Sequence, residues 1–392
     1  MTSTTGPLAG ITVIDLTRAL SGPYATLMMA DAGAQVIKIE RPEGGDDSRG
    51  WGPPFVGPDD DPQSTYFLSI NRSKRSVTLD LKDTDDLATL RAMISEADVL
   101  VENFRPGVMD RLGLDQASLE ALNERLVVLS ITGFGEGGPD GSRSGFDQII
   151  QGEAGFMSLT GHPDGQPTKF GIPITDILSG MFGAYGVVAA LHERERSGKG
   201  QRVTTSLLAA AVSVHAYQGT RWTLGGEVPG LEGNQHPTIA PYGSFTCADG
   251  WANIAVGSEG LWHRFAPLVG LDPDDPRYAT NRDRKANVVE LTEEINAALI
   301  DESVEVWMQR LSEAGVPAGR IRTLDQVYDS PQVAHLGMID RVQHPTAGEL
   351  ALPGAPVAWS RSGRRPAEAP ARLGEHNDDH AGGRIDASAS QE

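Results

Sequence analysis

The chain is short of cysteine, of positive charge and of aromatic residues, and each shortage closes off a class of function. Its single cysteine, Cys247 in FTCADG, permits no internal disulfide and no cysteine-built zinc site. Without a flanking catalytic motif, Cys247 reads as a buried structural thiol. Lys and Arg number 33 against 53 Asp and Glu, a formal charge of −20. So acidic a surface disfavours nucleic acid and anionic lipid, and any anionic ligand needs a local basic cluster. No uninterrupted apolar run approaches the roughly 18 residues of a membrane span, so no membrane partner is expected. The opening MTSTTGPLAG has neither a basic n-region nor an apolar h-region, so no secretory leader is expected and a cytoplasmic protein is the natural reading.

Motifs are missing as well. No GxGxxG opens a helix, which disfavours a nicotinamide dehydrogenase, and there is no GxxxxGK[ST], HExxH or GxSxG. The nine histidines are scattered, and HNDDH at 376–380 reads as a solvated charge cluster, so no metal site is expected.

What remains is a large, patterned chain. Its 392 residues, 39% hydrophobic, suffice for two or three domain-sized units. GITVIDL (10–16), AQVIKIE (34–40), SVTLDL (76–81), DVLVENF and LVVLSITGFG read as short buried strands. Helical segments separate them, one ending at Gly33 and one carrying Leu87, Leu90 and Met93 at helical spacing. Strands alternating with helices predict an α/β fold with an open, largely parallel, doubly wound sheet. A helix is predicted from Asp176 to about Arg196, stopped by Gly198. Residues 224–243 are dense in Gly and Pro and read as a linker or a long functional loop. GSFTCADGWANIAVG then suggests a hairpin, and 259–316 a helical stretch of a smaller α+β unit.

Three features could carry chemistry. The glycines of ITGFGEGGPDG (131–141) either form a plain turn or leave amides open to a ligand. Basic residues cluster in NRSKRS (71–76), read as lying just before a strand, and in NFRPGVMDRLG (103–113), just after one. Such loops bind ligands in parallel sheets, and arginine and lysine suit phosphate, although either cluster could equally be solvated surface. Asp176, in GIPITDILSGMFGAYG, could cap its helix or serve as a nucleophile; both can hold together, since a helix N-terminus keeps a carboxylate ionised.

Ordered segments along the whole chain sharpen this. PLAGITVIDLTRALSGPYATLMMADAGAQVIKIERPEGGDDSRGW, YFLSINRSKRSVTLDL, VENFRPGVMDRLG, ITGFGEGGP, ITDILSGMFGAYGVVAALHERERSGKGQRVTTSLL and the late LGEHND closely resemble the class III CoA-transferase family. That family includes formyl-CoA and carnitine CoA-transferases and α-methylacyl-CoA racemases, and the resemblance runs from about residue 7 to 376. It implies a Rossmann-like large domain with a smaller α+β domain and an interlocked homodimer. The implied layout is a large CoA-binding domain from 1–223, a small domain with its linker at 224–330, a return segment at 331–380, and a disordered tail at 381–392.

By the same resemblance Asp176 is the nucleophile of an acyl-CoA:carboxylate CoA-transferase, working through aspartyl–acyl anhydride and aspartyl–CoA thioester intermediates. Amides around Gly133 and Gly135 are candidates for oxyanion stabilisation. Contacts to CoA are implied for Arg41, Lys74, Arg75, Asn103, Phe104 and Arg111, with Ala19 and Leu20 beside the thioester. The CoA thioester is then a substrate, a small carboxylic acid is its partner, and no permanently bound cofactor is expected. Departures bear on activity. Phe146 stands where racemases carry a histidine acid/base, which favours transfer over racemisation, the alternative reading. Thr132 replaces a lysine of the formyl-CoA enzyme, and GLEGNQHP replaces its glycine run, which argues against formate or oxalate. A CoA-binding protein without turnover is the remaining alternative, disfavoured by the retention of Asp176.

Overall fold

A computed structural model describes residues 5–385. Two compact units are present. Among the described residues the larger comprises those up to Phe156, Lys169–Glu227, and those from Pro331 onward; the smaller comprises Met157–Thr168 and Val228–Ser330.

The larger unit is built on six parallel strands: β1 Thr12–Asp15, β2 Gln35–Glu40, β3 Lys74–Thr78, β4 Val99–Glu102, β5 Val127–Thr132 and β6 Arg202–Ser206. Their order is β3-β2-β1-β4-β5-β6, so the sheet grows outward in both directions from β1. Alternation of side chains gives the sheet two apolar faces. Val13, Val36, Val99, Val101, Val127, Leu129 and Ile131 pack against α1 Ser21–Asp31 and the long helix Ile174–Ser197. Ile14, Ile37, Ile39, Val77, Leu100 and Val128 pack with residues of α3 Thr84–Glu96 and α4 Gln116–Leu122. Further helices needed below are α2 Thr65–Ile70, α5 Asp147–Glu153, α6 (the long helix) and α7 Leu207–Ser213.

α6 is long enough, and over an 18-residue stretch apolar enough at a mean hydropathy of 1.5, to cross a membrane by length and composition alone, a property that a buried core helix can share. Here one face of it lies in the core. Gly180 lets α6 approach the start of α1 so closely that an added Cβ would sit 2.6 Å from the Ser21 carbonyl oxygen, and Gly183 does the same against Leu129. Arg194 near its end pairs with Asp98 at 2.8 Å, and Gly198 closes it in the left-handed conformation at φ 76°.

β3 begins at Lys74, inside the basic cluster rather than beyond it. Charged residues fit there because partners from elsewhere neutralise them: Arg72 pairs with Asp31, and Lys74 with Asp15. The far edge of β3 is covered by the late LGEHND. The Ser76 amide donates to His376 Nδ1 at 3.2 Å, the His376 amide to the Ser76 carbonyl at 2.9 Å, and the Thr78 amide to Asn377 Oδ1 at 2.8 Å. His376 is therefore part of an edge strap, not of a solvated cluster. Residues 378–383 form 3-10 turns joined across a kink at His380, Ala381 and Gly382, so the expected disordered tail does not start at 381; positions 386–392 lie outside the described residues.

In the smaller unit β7 Tyr242–Cys247 and β8 Gly250–Ala255 form the expected hairpin, and β9 Ala318–Arg320 adds a third antiparallel strand. Its core is aromatic: Phe245, Trp262, Phe265, Tyr278 and Trp307, with Cys247 among them. Arg284, 1% exposed, spans this core and holds Glu259 with two hydrogen bonds of 3.0 Å. Met157–Thr168 joins this unit because the Gly233 amide bonds the Gly161 carbonyl. A hairpin of β10 Ile339–His344 and β11 Gly348–Pro353, which the sequence did not announce, belongs to the larger unit and packs Val342, Leu350 and Leu352 on Leu68.

Candidate active site

Loops leaving the carboxyl ends of β1, β4 and β5 converge beside the place where the strand order turns, the usual position for a ligand in a parallel sheet. Together with α2, α5 and the start of α6 they enclose a cleft of about 500 Å³. Ala19, Asn103, Phe104, Gly133 and Asp176 line it. Leu20, Arg41, Lys74, Arg75, Arg111 and Gly135 do not.

Asp176 occupies the first turn of α6 and is partly buried. It does not cap its helix: the N-cap is Pro173, with no side-chain bond. The free first-turn amide of Thr175 donates to Asp147 Oδ1 at 2.9 Å, and the Thr175 hydroxyl to the same oxygen at 2.8 Å. Gln151 Nε2 donates to the other Asp147 oxygen at 2.7 Å. The expectation that a helix N-terminus keeps Asp176 ionised is therefore corrected. Burial, and then the like charge of Asp147, push its carboxyl up to about 7. Tyr66, which faces the same pair, is raised to about 12, by burial first and then by Asp176.

The cleft wall opposite is a turn of unusual backbone. Ala19 has φ 66°, and its amide donates to Asp46 Oδ1 at 3.2 Å. Asn103 clamps the preceding residue at both ends, accepting from the Arg18 amide at 3.0 Å and donating to the Arg18 carbonyl at 2.8 Å. Its side chain thus shapes the wall. Phe104 offers its ring to the Arg18 guanidinium at 5.7 Å. Gly133 is required by close approach, since a Cβ there would meet the Gly145 backbone at 2.5 Å. The Gly135 amide is already committed to Thr132 Oγ1 at 3.0 Å, which argues against an oxyanion role for it.

The basic residues divide sharply. Lys74 is 4% exposed, and its ammonium donates to Asn71 Oδ1 at 2.9 Å, the Pro23 carbonyl at 2.8 Å and Asp15 at 3.3 Å. Burial pulls its pKa down to about 8. The structure therefore corrects Lys74 from phosphate contact to core residue. Arg75 pairs with Asp379 at 3.3 Å away from the cleft. Arg41 pairs with Asp47 at 2.6 Å just outside it, and Arg111 is exposed at the end of the short helix Val108–Arg111. The cations that do line the cleft are Arg18, Arg105 and Arg143. Arg143 leans on Phe134 and pairs with Asp140 and Glu153. Arg18 has no ion pair among the described residues, and burial, then Arg41, lower its pKa. Position after β1 was the signal that could have flagged Arg18. Tyr66 and Trp51 carried none. A separate cavity of about 310 Å³, between Glu102, Leu119, Val128 and Arg202, holds none of the expected residues.

Comparison with known proteins identifies the family. A family description, CoA-transferase family III, matches residues 8–377. The succinate–glutarate CoA-transferase of Agrobacterium fabrum is 40% identical over 376 residues, 94% of each chain. The acetyl-CoA:oxalate CoA-transferase of Acetobacter aceti is 38% identical over 92% of each. Among solved structures, a CAIB/BAIF family protein from Brucella suis superposes with a TM-score of 0.87 at 37% identity, covering 96% of this chain and 98% of the other.

Proposed function

The chain belongs to CoA-transferase family III and is a CoA-transferase, and on that footing we propose that it moves CoA between two small dicarboxylic acids through covalent intermediates on Asp176. The observation that carries this is a carboxylate with no hydrogen-bond donor among the described residues, facing a cleft whose cations are arginines. A poorly solvated carboxylate is a strong nucleophile.

The steps balance without net proton or electron transfer. Asp176 attacks the donor thioester carbonyl, the C–S bond breaks, and a mixed anhydride and CoA thiolate result. The thiolate attacks the aspartyl carbonyl, the anhydride C–O bond breaks, and the donor acid leaves an aspartyl–CoA thioester. The acceptor carboxylate attacks that thioester carbonyl, the C–S bond breaks to give a second mixed anhydride and CoA thiolate, and the thiolate attacks the acceptor's acyl carbon, breaking the anhydride C–O bond and freeing Asp176. A carboxylate is needed because each intermediate must stay as activated as a thioester.

Relatives named for succinate, glutarate and oxalate support dicarboxylates, and the oxalate enzyme at 38% identity keeps oxalate among the acids to test. Arg18, Arg105 and Arg143 provide the local positive charge that an anionic substrate needs against an overall −20. The racemase alternative lacks its second acid/base group: Phe146 is 64% exposed at the start of α5, and no histidine lines the cleft. Incubating the protein with succinyl-CoA and a panel of mono- and dicarboxylic acids should give new thioesters by mass spectrometry, with hydroxylamine marking Asp176 as its hydroxamate. Wash-in of deuterium at the α-carbon without acyl exchange would overturn transfer.

The same reading takes the sheet as Rossmann-like and doubly wound, the protein as cytoplasmic and the assembly as a homodimer. Its support for assembly is the outward face of α6, where Met181, Phe182, Tyr185 and Val188 are exposed in one row, Tyr185 at 73%. A second copy would cover it. Tyr185→Glu with Val188→Glu is expected to halve the mass measured by sedimentation, and a monomeric wild type would sink the assignment.

A further inference from the structure

Asp147 lies 28 residues before Thr175 in the chain yet performs the task that local sequence would give to Asp176. Its Oδ1 takes both the Thr175 amide and the Thr175 hydroxyl, and its Oδ2 is fixed by Gln151. Gln151 is in turn held, since its Oε1 accepts the Phe170 amide at 2.7 Å, and it is fully buried. The Asp147 carboxylate is therefore locked at the start of α6 by four linked hydrogen bonds.

We propose that Asp147 is a positioning residue for CoA transfer: it caps α6 in place of Asp176, leaves the nucleophile's carboxylate free of hydrogen bonds, and sets a fixed like charge beside it. The inference rests on Asp176 being the nucleophile.

Two consequences follow from elementary electrostatics. First, a carboxylate whose lone pairs are not tied to amides keeps them for attack, and nothing must be broken before it reacts. Second, acylation or thioester formation makes Asp176 neutral. The repulsion between the two carboxylates is then relieved in both covalent intermediates and present only in the free enzyme. Asp147 thus tilts the equilibrium toward the covalent states. A cap supplied by any neutral side chain would do the structural task without this tilt.

The groups facing Asp176 are Tyr66 from α2 and Asp147 from α5, with Arg18, Asp47, Arg105 and Arg143 farther along the same cleft. None of them donates a hydrogen bond to its carboxylate among the described residues. The Tyr66 hydroxyl stays protonated through neutral pH. Near neutrality the ionisation that governs attack is that of Asp176, whose carboxyl sits near 7. For the wild type, kcat/KM with succinyl-CoA should therefore rise as pH passes through about 7 and level off above it.

Asp147→Asn keeps an acceptor oxygen for Thr175 and removes the charge; Asp147→Ser does the same with a smaller group; Asp147→Glu keeps the charge. In whichever neutral variant is folded by circular dichroism, the acidic limb of the kcat/KM profile should move down by about one pH unit. The steady-state fraction of aspartyl–CoA thioester seen by intact-protein mass spectrometry should fall several-fold. Asp147→Glu should leave the limb near its wild-type position. A folded neutral variant with an unmoved limb and an unchanged thioester fraction would reduce Asp147 to a helix cap and overturn the proposal. Asp176→Asn separates this from the underlying reading: full transfer activity in that variant sinks the nucleophile itself, whereas an inert Asp176→Asn with an unmoved limb sinks only the role of Asp147.

Discussion

Asp176→Asn is expected to abolish CoA transfer, with kcat lowered by about 10⁴-fold or more, as removal of a covalent nucleophile does elsewhere. The amide is nearly isosteric. It sits in a helix turn already capped by Asp147, and no hydrogen bond to the carboxylate is lost among the described residues. Stability should therefore stay close to wild type, or rise slightly, because the variant removes one of two adjacent like charges. That combination distinguishes a chemical role from a structural one. A chain that melts early and loses activity in proportion would contradict it. So would a variant that retains more than about a hundredth of wild-type turnover.

Lys38→Met is expected to produce the largest loss of stability, about 3–5 kcal/mol in denaturant titration. Lys38 is 1% exposed in β2. Its ammonium contacts Asp46 at 2.8 Å and the Thr17 carbonyl at 2.7 Å. Burial works against its charge, but Asp46, Asp15 and Glu40 outweigh that, so its pKa is raised. Methionine matches the volume and strands Asp46 and part of the charge of Asp15 in the interior. Asp46 also bonds the Ala19 and Ser48 amides, so the damage should reach the cleft wall. In Asp46 the pull of Lys38 overcomes burial and brings its pKa to about 2, from an ordinary 3.8. The contribution of that ion pair is accordingly complete above about pH 4 and is lost as pH falls toward 2. If Lys38→Met unfolded at the wild-type denaturant midpoint, the buried pair would have no net worth, as happens when apolar replacement compensates lost charge.

How much of this could be read in advance depended on whether the deciding partner lay nearby in the chain. β1, β2, β4 and β5 were legible because both faces are buried, leaving apolar runs too short for helices. The end of α6 was legible from Gly198, a local conformational requirement. The start of β3 was not, since its charges are neutralised by residues 41 and 59 positions away. Asp176 is the mixed case. Its location was plain and its proposed role came from resemblance, but local rules named it the cap, and the true cap lies on another helix. The hairpin of β10 and β11 escaped because only Val342, Leu350 and Leu352 among its apolar residues are firmly buried, beside a buried His344.

The strap on β3 bears on the order in which the protein can be made. His376 meets Ser76 across 300 residues, and the chain between them includes the whole of β4–β6 and all of the smaller unit. At roughly 5–20 residues per second of synthesis, the outer edge of β3 waits about 15–60 s for its cover. Throughout that interval a strand with unpaired amides and carbonyls is open to wrong partners, other nascent chains among them. The charges that make β3 look unlike a strand, Lys74 and Arg75 at its head, are also what makes such an edge a poor template for aggregation. Selection at those two positions can therefore act on the nascent chain as well as on the finished enzyme.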